Sequence, residues 1–292
     1  MTYQKFRPDV RSVSRARLAR AYVADLGRSV GRMALNSRRR TSALVDAEYN
    51  VTTWGRVLED RSWLCAGSLE DFLVGKDDRQ LLAKVDGQIV QLSNRDYYGY
   101  RIGALSELIA RHAGSAESLV ELGAGFGNNL FTLSLDPRWR QLRGLDISRN
   151  GIEAGRLIAD HFGLAGRASF GKIDLTDPDD PGFRELAGAT ILTYFCLEQI
   201  PHKVESVIEN ILRARPARVM NIEPGVDMLT LANPRDFASR VYIKSMDYQT
   251  RLFKLLDMLE SRNTIRVLAR HRMEFAPTLH NDGLLYVWEP RA

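Results

Sequence analysis

The chain contains 292 residues, of which 45% are hydrophobic and 26% are charged, a composition typical of a globular protein with a packed core. No apolar run reaches the roughly 20 residues that a transmembrane helix needs, and none follows the N-terminal charges as a signal peptide requires. We therefore expect a cytoplasmic protein that has no membrane partner.

The net charge of +5 is distributed unevenly along the chain. Residues 1–40 contain eleven Lys and Arg but only Asp9 and Asp25 as acids, so this arm carries +9 and the rest of the chain carries −4. A basic arm can bind nucleic acid, but apolar residues recur here at helical spacing, and we favour a packed helix with a solvated Arg face. No interleaved aromatic residues or known nucleic-acid module are evident, so we expect no nucleic-acid partner.

Cysteine and histidine are too sparse to build a disulfide or metal framework. Cys65 and Cys196 lie far apart in apolar sequence contexts, and we expect both to be buried small side chains. The five histidines show no ligand spacing, so we expect no metal site.

Residues 1–112 are predicted to form a mainly helical extension. The apolar spacing predicts three helices, over about 11–35, 41–49 and 68–75. Asp86-Gly87 marks a turn between two short strands within 81–92. A helix from about Tyr98 to His112 follows and ends at Gly114.

From residue 113 onward, short apolar runs alternate with helical stretches. The predicted strands are 118–122, 141–146, 168–173, 189–195 and 218–222. The predicted helices between them are about 127–135, 150–163, 181–187 and 202–213. Because parallel strands need a crossover connection, this alternation predicts a doubly wound, mostly parallel sheet of the α/β class.

The last part of the chain departs from this alternation. Two strand-like runs, 264–275 and 283–288, are joined by a short connection that contains Pro277 and Asn281-Asp282-Gly283. Such a join predicts a final antiparallel strand, which completes a sheet of seven strands. The amphipathic insertion before it, at about 228–260, is expected to pack on the core, with a lid or a homodimer surface as alternatives.

The segment 118–130, SLVELGAGFGNNL, contains the most specific pattern in the chain. An apolar strand runs into Gly123, Gly125 and Gly127, and a helical stretch follows at once. Glycines allow a tight turn and let a ligand approach the main chain, and the helix start presents unpaired N–H groups to it. The third glycine comes one residue earlier than in the G-x-G-x-x-G pattern of dinucleotide-binding folds.

The heptapeptide from Glu121 to Gly127 resembles the E/D-x-G-x-G-x-G signature of the class I S-adenosylmethionine (SAM)-dependent methyltransferases. The antiparallel end of the sheet is also typical of that family. The resemblance covers about residues 115–290 and implies a Rossmann-like fold with SAM as the cofactor. It implies much less about the first hundred residues.

The resemblance assigns cofactor-binding roles to acids at three successive strand ends. It implies that Glu121 holds the methionine end of SAM, that Asp146 accepts both ribose hydroxyls, and that Asp174 accepts from the adenine amino group. Any one of these acids could instead cap a helix. The other residues expected to line the cofactor site are Gly123, Ala124, Gly125, Gly127, Asn128, Ile147, Leu175, Tyr194 and Arg101. Arg101 could meet the cofactor's carboxylate or be an exposed residue of a packed helix.

Ligands of open parallel sheets bind at the carboxyl ends of the strands, which places the chemistry beyond the fourth and fifth strands of this part of the chain. These ends read TYFCLEQIPH over 193–202 and NIEPGVD over 221–227. The candidate bases are Glu198, His202 and Glu223, although His202 could be a surface residue of the next helix. The candidate substrate contacts are Tyr98, Phe195, Asp227 and Tyr242, with Tyr248 as a weaker candidate.

Two carboxylates at adjacent strand ends favour a cationic nucleophile, because a guanidinium can pair with a carboxylate through two hydrogen bonds. We therefore interpret the chain as an enzyme that methylates an amine or guanidine nitrogen of a small polar, amino-acid-like metabolite, in specialised biosynthesis. O-methylation of a sugar or natural-product hydroxyl stays open, because the LEQIP string over 197–201 is similar to proposed sugar methyltransferases. A nucleic-acid-modifying protein that uses the basic arm, and a protein that binds SAM without turnover, are alternatives from other classes.

Overall fold

The computed structural model describes residues 6–35, 40–280 and 283–291. Asn281 and Asp282, which belong to the predicted last connection, lie outside these ranges. None of the described helices combines the length and the apolar composition needed to cross a bilayer.

The first hundred residues form short helices and a small antiparallel sheet. The helices are α1 (Arg15–Leu35), α2 (Ser42–Val45), a π-helix (Asp46–Trp54), α3 (Gly55–Asp60), a 3₁₀ turn (Ser62–Cys65) and α4 (Leu69–Val74). The strands are β1 (Arg11–Ser12), β2 (Gln80–Val85) and β3 (Gln88–Ser93), in the order β1-β3-β2. β2 and β3 pair around Asp86 and Gly87, as the sequence predicts.

Three predictions for this region need correction. The helix predicted over 11–35 begins at Arg15, after the short β1, and the helix predicted over 41–49 is α2 followed by the π-helix. Cys65 is exposed rather than buried, because Trp63 takes the buried position of the 3₁₀ turn. An apolar neighbourhood in the sequence therefore does not decide which of its members points inward.

The next helix, α5 (Asn94–His112), begins earlier than the predicted start at Tyr98. The Ser93 hydroxyl accepts a hydrogen bond from the Asp96 backbone N–H at 3.0 Å and donates to the Asp96 carboxylate at 2.7 Å. Because this pair satisfies a backbone N–H that a helix start otherwise leaves free, it fixes the beginning of α5.

The central sheet has seven strands. They are β4 (Ser118–Leu122), β5 (Gln141–Asp146), β6 (Ala168–Lys172), β7 (Thr190–Tyr194), β8 (Arg218–Pro224), β9 (Ile265–Arg272) and β10 (Gly283–Pro290). Their order is β6-β5-β4-β7-β8-β10-β9, and β10 runs opposite to the other six strands of this sheet, pairing antiparallel with both β8 and β9. The predicted doubly wound, mostly parallel sheet with a final antiparallel strand is therefore confirmed.

Helices cover both faces of this sheet. After α5 they are α6 (Asn128–Ser134), α7 (Arg149–His161), a 3₁₀ helix (Pro181–Leu186), α8 (Val204–Arg213), α9 (Pro234–Ser245) and α10 (Leu252–Ser261). One apolar cluster contains Leu105, Phe131 and Ile158 of α5, α6 and α7, and a second contains Ile211 and Leu256 of α8 and α10. The predicted insertion consists of α9 and α10, and the basic helix α1 packs on α9.

The strand order reverses next to β4, which pairs with β5 on one side and with β7 on the other. Successive connections cross opposite faces of the sheet at this point, so the loops that follow these strands diverge. Open parallel sheets bind ligands in the crevice that results at the carboxyl ends. The fold therefore places the candidate site above β4, β5 and β7.

Candidate active site

A cavity of about 810 Å³ lies at the carboxyl ends of the parallel strands, within the volume range of small-molecule sites. Its walls come from the loops after β4, β5, β6 and β7, from Arg101 of α5, and from residues of α2 and the π-helix. Both halves of the chain therefore contribute to one cavity.

The glycine turn between β4 and α6 is held closely from two sides. Gly123 and Gly125 have φ angles of +71° and +54°, a region that glycine enters without strain. A Cβ on Gly123 would collide with the Cys196 side chain, and a Cβ on Gly125 would lie 2.6 Å from the Trp54 ring. The two glycines are thus needed for the turn and for the close approach of these side chains.

Glu121, at the end of β4, has one carboxylate oxygen bound and one without a partner. The Asn129 side chain donates to Oε1 at 2.6 Å, and Arg101 in turn donates to the Asn129 amide oxygen. Oε2 is buried and makes no hydrogen bond with the described part of the chain. Burial raises the pKa of Glu121 to about 8, against the lowering effects of Asn129 and Arg101. This arrangement fits a ligand that brings a cationic donor.

Asp146, at the end of β5, ties the glycine turn to the start of α7. Its carboxylate accepts hydrogen bonds from the backbone N–H groups of Gly125 and Ser148, both at 2.7 Å. Burial raises the pKa of Asp146, and these hydrogen bonds oppose the shift. Ser148 rather than Asp146 caps α7, since its hydroxyl accepts from Gly151 N–H at 3.0 Å. Each oxygen of Asp146 keeps a lone pair for a ligand donor.

Asp174 and Leu175 follow β6 and also line the cavity. One oxygen of Asp174 accepts hydrogen bonds from the backbone N–H and the hydroxyl of Thr176, both at 2.8 Å. Asp174 therefore shapes its own turn as well as facing the cavity. Leu175 is buried and, with the exposed Ile147 after β5, adds apolar surface to this part of the site.

Glu198 follows β7 and is 3% exposed. The Gln199 side chain donates to its Oε1 at 2.7 Å, whereas Oε2 is buried and has no hydrogen-bond partner among the described residues. Burial raises the pKa of Glu198 well above its ordinary value, the nearby Glu223 raises it further, and Arg40 opposes the shift. Glu198 is thus a second carboxylate of the cavity wall with an unpartnered oxygen.

Glu223, the third predicted base, lies behind the wall of the cavity and not on it. It is fully buried and is not among the residues that line the cavity. Its carboxylate accepts backbone hydrogen bonds from Cys196 and Leu197 at 3.1 Å and from Glu198 at 3.3 Å. Burial raises its pKa to about 7, while hydrogen bonds from Leu197 and Thr193 lower it. Glu223 holds the turn that carries Glu198.

Most of the other predicted site residues line the cavity. They are Gly123, Ala124, Gly125, Asn128, Ile147, Tyr194, Arg101, Phe195 and His202, together with the weaker candidate Tyr248. The His202 Nε2 atom lies 3.4 Å from the Asp247 carboxylate. The Arg101 guanidinium lies over the Tyr194 ring, with its Cζ atom 5.3 Å from the ring centre.

Four predicted residues besides Glu223 are not in the described lining. Gly127 packs against the Phe170 ring, where a Cβ would lie 2.5 Å away, and Tyr98 packs in the core with its ring 5.5 Å from that of Tyr97. Asp227 follows β8, outside the cavity wall. Tyr242 lies on α9, with its ring 4.1 Å from the His280 ring. These four residues therefore lie beside the cavity in this structure, and their contacts with a ligand stay predictions.

The π-helix contributes cavity residues that the sequence analysis misses. The Asn50 carboxamide oxygen accepts from the Ser148 hydroxyl at 2.8 Å and from Asn150 N–H at 3.0 Å, which joins the π-helix to the start of α7. Trp54 covers Gly125, and its ring lies 5.3 Å from that of Phe126. These contacts join residues from 71 to 100 positions apart, and no local pattern marks them. A π-helix is rare and often occurs at functional sites, but its sequence carries no distinct periodicity.

Within the described ranges, no three His, Cys, Asp or Glu side chains are grouped as a metal ion would need. The decisive features are the strand order, the antiparallel β10 and the glycine turn after β4. The chain has the fold of the class I SAM-dependent methyltransferases.

Comparison with solved structures agrees with this fold. The structure of the [4+2]-cyclase SpnF is similar with a TM-score of 0.52 and 15% identity, over 77% of this chain and 93% of that chain. A geranyl diphosphate methyltransferase in complex with SAM has a TM-score of 0.47 and 12% identity, over 65% and 85% of the two chains. The methyltransferase domain of bacterial CtHen1 has a TM-score of 0.45 and 18% identity, over 66% and 97%. No protein-family model and no curated protein sequence matches the chain.

Proposed function

We propose that the protein is a SAM-dependent methyltransferase that methylates an amine or guanidine nitrogen of a small polar, amino-acid-like metabolite. The observation that carries the cofactor part of the proposal is the unpartnered Oε2 of Glu121, buried beside the glycine turn. A buried acceptor without a donor costs about 1–3 kcal/mol, which the ammonium group of the cofactor would recover. The cavity volume supports a small-molecule acceptor, and the proposed setting is the cytoplasm.

The described residues fit the three parts of SAM. Glu121 would hold the ammonium group, and Arg101 would meet the carboxylate of the same methionine end. Asp146 offers acceptor-only oxygens to the ribose hydroxyls, and Asp174 and Leu175 offer an acceptor and an apolar face to adenine. The bound cofactor supplies an electrophilic methyl group.

Glu198 is the proposed base. An amine must be unprotonated when it is methylated, and a base works best when its pKa lies near the working pH. Burial moves the pKa of Glu198 upward from its ordinary value, and its Oε2 has no other partner. His202 is the second candidate, because it lines the cavity and its Nε2 atom lies 3.4 Å from the Asp247 carboxylate. The products are the methylated acceptor, S-adenosylhomocysteine (SAH) and one proton.

A hydroxyl of a sugar or natural product is the second candidate acceptor. Two carboxylates favour a guanidinium, but Glu223 lies behind the wall, which leaves Glu198 as the one carboxylate of this pair in the lining. A single base serves a hydroxyl as well as an amine. The fold itself does not distinguish a nitrogen acceptor from a hydroxyl acceptor, because one fold hosts many reactions. One similar structure is that of a cyclase.

Calorimetry with SAM and SAH tests the cofactor site. We expect the wild type to bind both, and Glu121→Gln to bind them about 10- to 100-fold more weakly, because a hydrogen bond to a charged group contributes about 1.5–3 kcal/mol. Glu117→Gln is the matched control, because Glu117 precedes the same strand, is exposed and pairs with Arg140 outside the cavity. A wild type that binds neither ligand would overturn the proposal.

A screen for acceptors tests the reaction. Purified protein is incubated with SAM and with amines, guanidines, sugars and phenolic compounds, and SAH formation is measured by mass spectrometry. Turnover with amines or guanidines supports N-methylation, and turnover with hydroxyl compounds alone establishes the second candidate instead. Tight SAM binding with no SAH formed from any acceptor class contradicts both and points to a SAM-binding protein without methyl transfer.

A further inference from the structure

Arg40 is a buried cation on the wall of the same cavity, contributed by the segment that precedes α2. Its side chain is 5% exposed, although arginine is seldom buried without a partner. Its backbone N–H donates to the Asp247 carboxylate at 2.7 Å, which fixes the main chain at this point. Neither the cofactor site nor the proposed proton transfer uses this residue.

The guanidinium of Arg40 is held on two of its three nitrogens. Nε donates to the Gln199 carboxamide oxygen, and Nη2 lies 3.0 Å from a Glu48 carboxylate oxygen. The rings of Tyr248 and Tyr49 lie beside it, with centres 5.2 Å and 6.0 Å from its Cζ atom. No hydrogen bond engages Nη1 within the ranges that the structure describes. The Arg40 guanidinium is thus fixed in orientation, and its Nη1 atom can still donate hydrogen bonds.

A purely structural ion pair between Arg40 and Glu48 does not fully explain why the Arg40 side chain is buried in this wall. The Glu48 side chain is 43% exposed, so its charge is screened by water, and exposed pairs contribute little. Two other carboxylates lie nearby but do not pair with the guanidinium: Glu198 accepts from Gln199, and Asp247 accepts from the backbone N–H of Arg40. The Arg40 guanidinium therefore has one half-exposed ion-pair partner, and an anionic ligand group in the cavity would give it a second.

Gln199 links this cation to the proposed base. Its amide nitrogen donates to Glu198 at 2.7 Å and to the Tyr49 hydroxyl at 3.0 Å, while its oxygen accepts from Arg40. Arg40 and Glu198 therefore lie one carboxamide group apart along the same wall. A single small molecule can reach both if it carries an anionic group and a nucleophile a few bonds apart.

We propose that Arg40 binds a carboxylate of the acceptor, so that the acceptor carries both a carboxylate and the nucleophile that faces Glu198. The proposal rests on the proposed function and deepens it, because it narrows a small polar acceptor to an amino acid or a similar zwitterion. A planar guanidinium matches a carboxylate through paired hydrogen bonds, which an ammonium group does not reproduce. Arg40 is then a residue that determines substrate specificity.

The test uses the full-length protein saturated with SAH and pairs of probes that differ only in the carboxylate. The probes are glycine, β-alanine, γ-aminobutyrate, L-arginine and L-histidine, each beside its carboxamide, with binding measured by calorimetry. We expect at least one acid to bind, and to bind about 10-fold or more tightly than its amide. If no acid binds more tightly than its amide, the proposal is overturned.

Variants separate carboxylate binding from a structural role of Arg40. In Arg40→Gln we expect the preference for the acid to disappear while the Kd of SAH stays within about twofold, because the cofactor residues are untouched. Arg40→Lys keeps the charge but loses the planar guanidinium that forms paired hydrogen bonds. We therefore expect it to bind the acid about 10-fold more weakly than the wild type. It also serves as the test variant if Arg40→Gln does not fold. Arg56→Gln, on the exposed side of α3, is the matched control.

The outcomes are distinct from those of the cofactor test. A wild-type acid preference that persists in both Arg40 variants overturns the carboxylate contact, even when SAH binds normally. A wild type that cannot be saturated with SAH contradicts the proposed function itself. Turnover of amines or hydroxyl compounds that lack any anionic group, at rates equal to those of the acids, also contradicts the role of Arg40.

Discussion

The ends of β4 and β8 each carry a fully buried glutamate, and the two carboxylates have opposite surroundings. Glu121 has one oxygen bound by Asn129 and one without a partner at the cavity. Glu223 accepts three backbone hydrogen bonds from residues 196–198 and lies behind the cavity wall. The sequence presents both as acids at the carboxyl ends of parallel strands of the same sheet.

This difference teaches that the position of an acid at a strand end does not decide its role. A carboxylate whose oxygens are all occupied by backbone N–H groups is part of the scaffold, since any ligand would have to displace those bonds. A buried carboxylate with a free oxygen is costly to the free protein, and a ligand can recover that cost. By this criterion Glu198 belongs with Glu121 and not with Glu223.

The largest expected effect concerns Glu198 as the base. Replacing it with Gln keeps its size but removes its proton acceptor, so we expect kcat to fall about 10²- to 10⁴-fold while SAH affinity stays nearly unchanged. Steady-state kinetics with an acceptor found in the screen measures this. In His202→Gln, the parallel variant, we expect a change in kcat below about fivefold. The reverse ranking of the two variants would make His202 the base.

The next effect concerns Glu223 as part of the scaffold. Glu223→Ala leaves three buried N–H groups without an acceptor, so we expect the free energy of unfolding to fall by at least about 3 kcal/mol. Urea unfolding measures it, with Glu209→Ala on the exposed face of α8 as the control. An unchanged unfolding free energy together with lost turnover would place Glu223 among the catalytic groups and erase the contrast with Glu121.

A pH-dependent effect follows from the raised pKa of Glu121. In the free protein this pKa is raised from 4.5 to about 8, so between these values the folded state holds a proton that the unfolded state has lost. The contribution of Glu121 to the free energy of unfolding therefore falls as pH rises from about 4.5 to 8. A cationic ligand group favours the charged carboxylate and reverses the shift.

Calorimetry of SAH binding at pH 7, in phosphate and in Tris, measures how many protons are released when the ligand binds. We expect the wild type to release about one proton more per bound SAH than Glu121→Gln does, because the variant has no carboxyl proton to lose. Equal proton counts in the two proteins would show that Glu121 does not meet the ammonium group. The acid would then be a structural residue like Glu223.

The same contrast explains how far sequence reasoning reaches in this chain. The glycine turn and the acids after β4, β5 and β6 were predictable because each follows an apolar strand directly and local periodicity marks the strand. The role of Glu223 was not, since it depends on how the turn over 196–198 folds back onto its carboxylate. Arg40, Asn50 and Trp54 were missed because their contacts with the core join residues that lie from 71 to 207 positions apart and leave no periodic signal.

The smallest expected effect concerns the contribution of the π-helix to the cofactor site. Trp54 is half-buried against Gly125 and Phe126, and an aromatic contact of this kind contributes about 0.5–1.5 kcal/mol. We therefore expect Trp54→Ala to weaken SAH binding roughly two- to tenfold, as measured by calorimetry. Val51→Ala, at an exposed position of the same π-helix, should leave the Kd unchanged. Equal SAH affinity in wild type and Trp54→Ala would mean that the N-terminal region contributes to the acceptor side of the cavity and not to cofactor binding. In that case residues of the core alone would bring the cofactor to the unpartnered oxygen of Glu121.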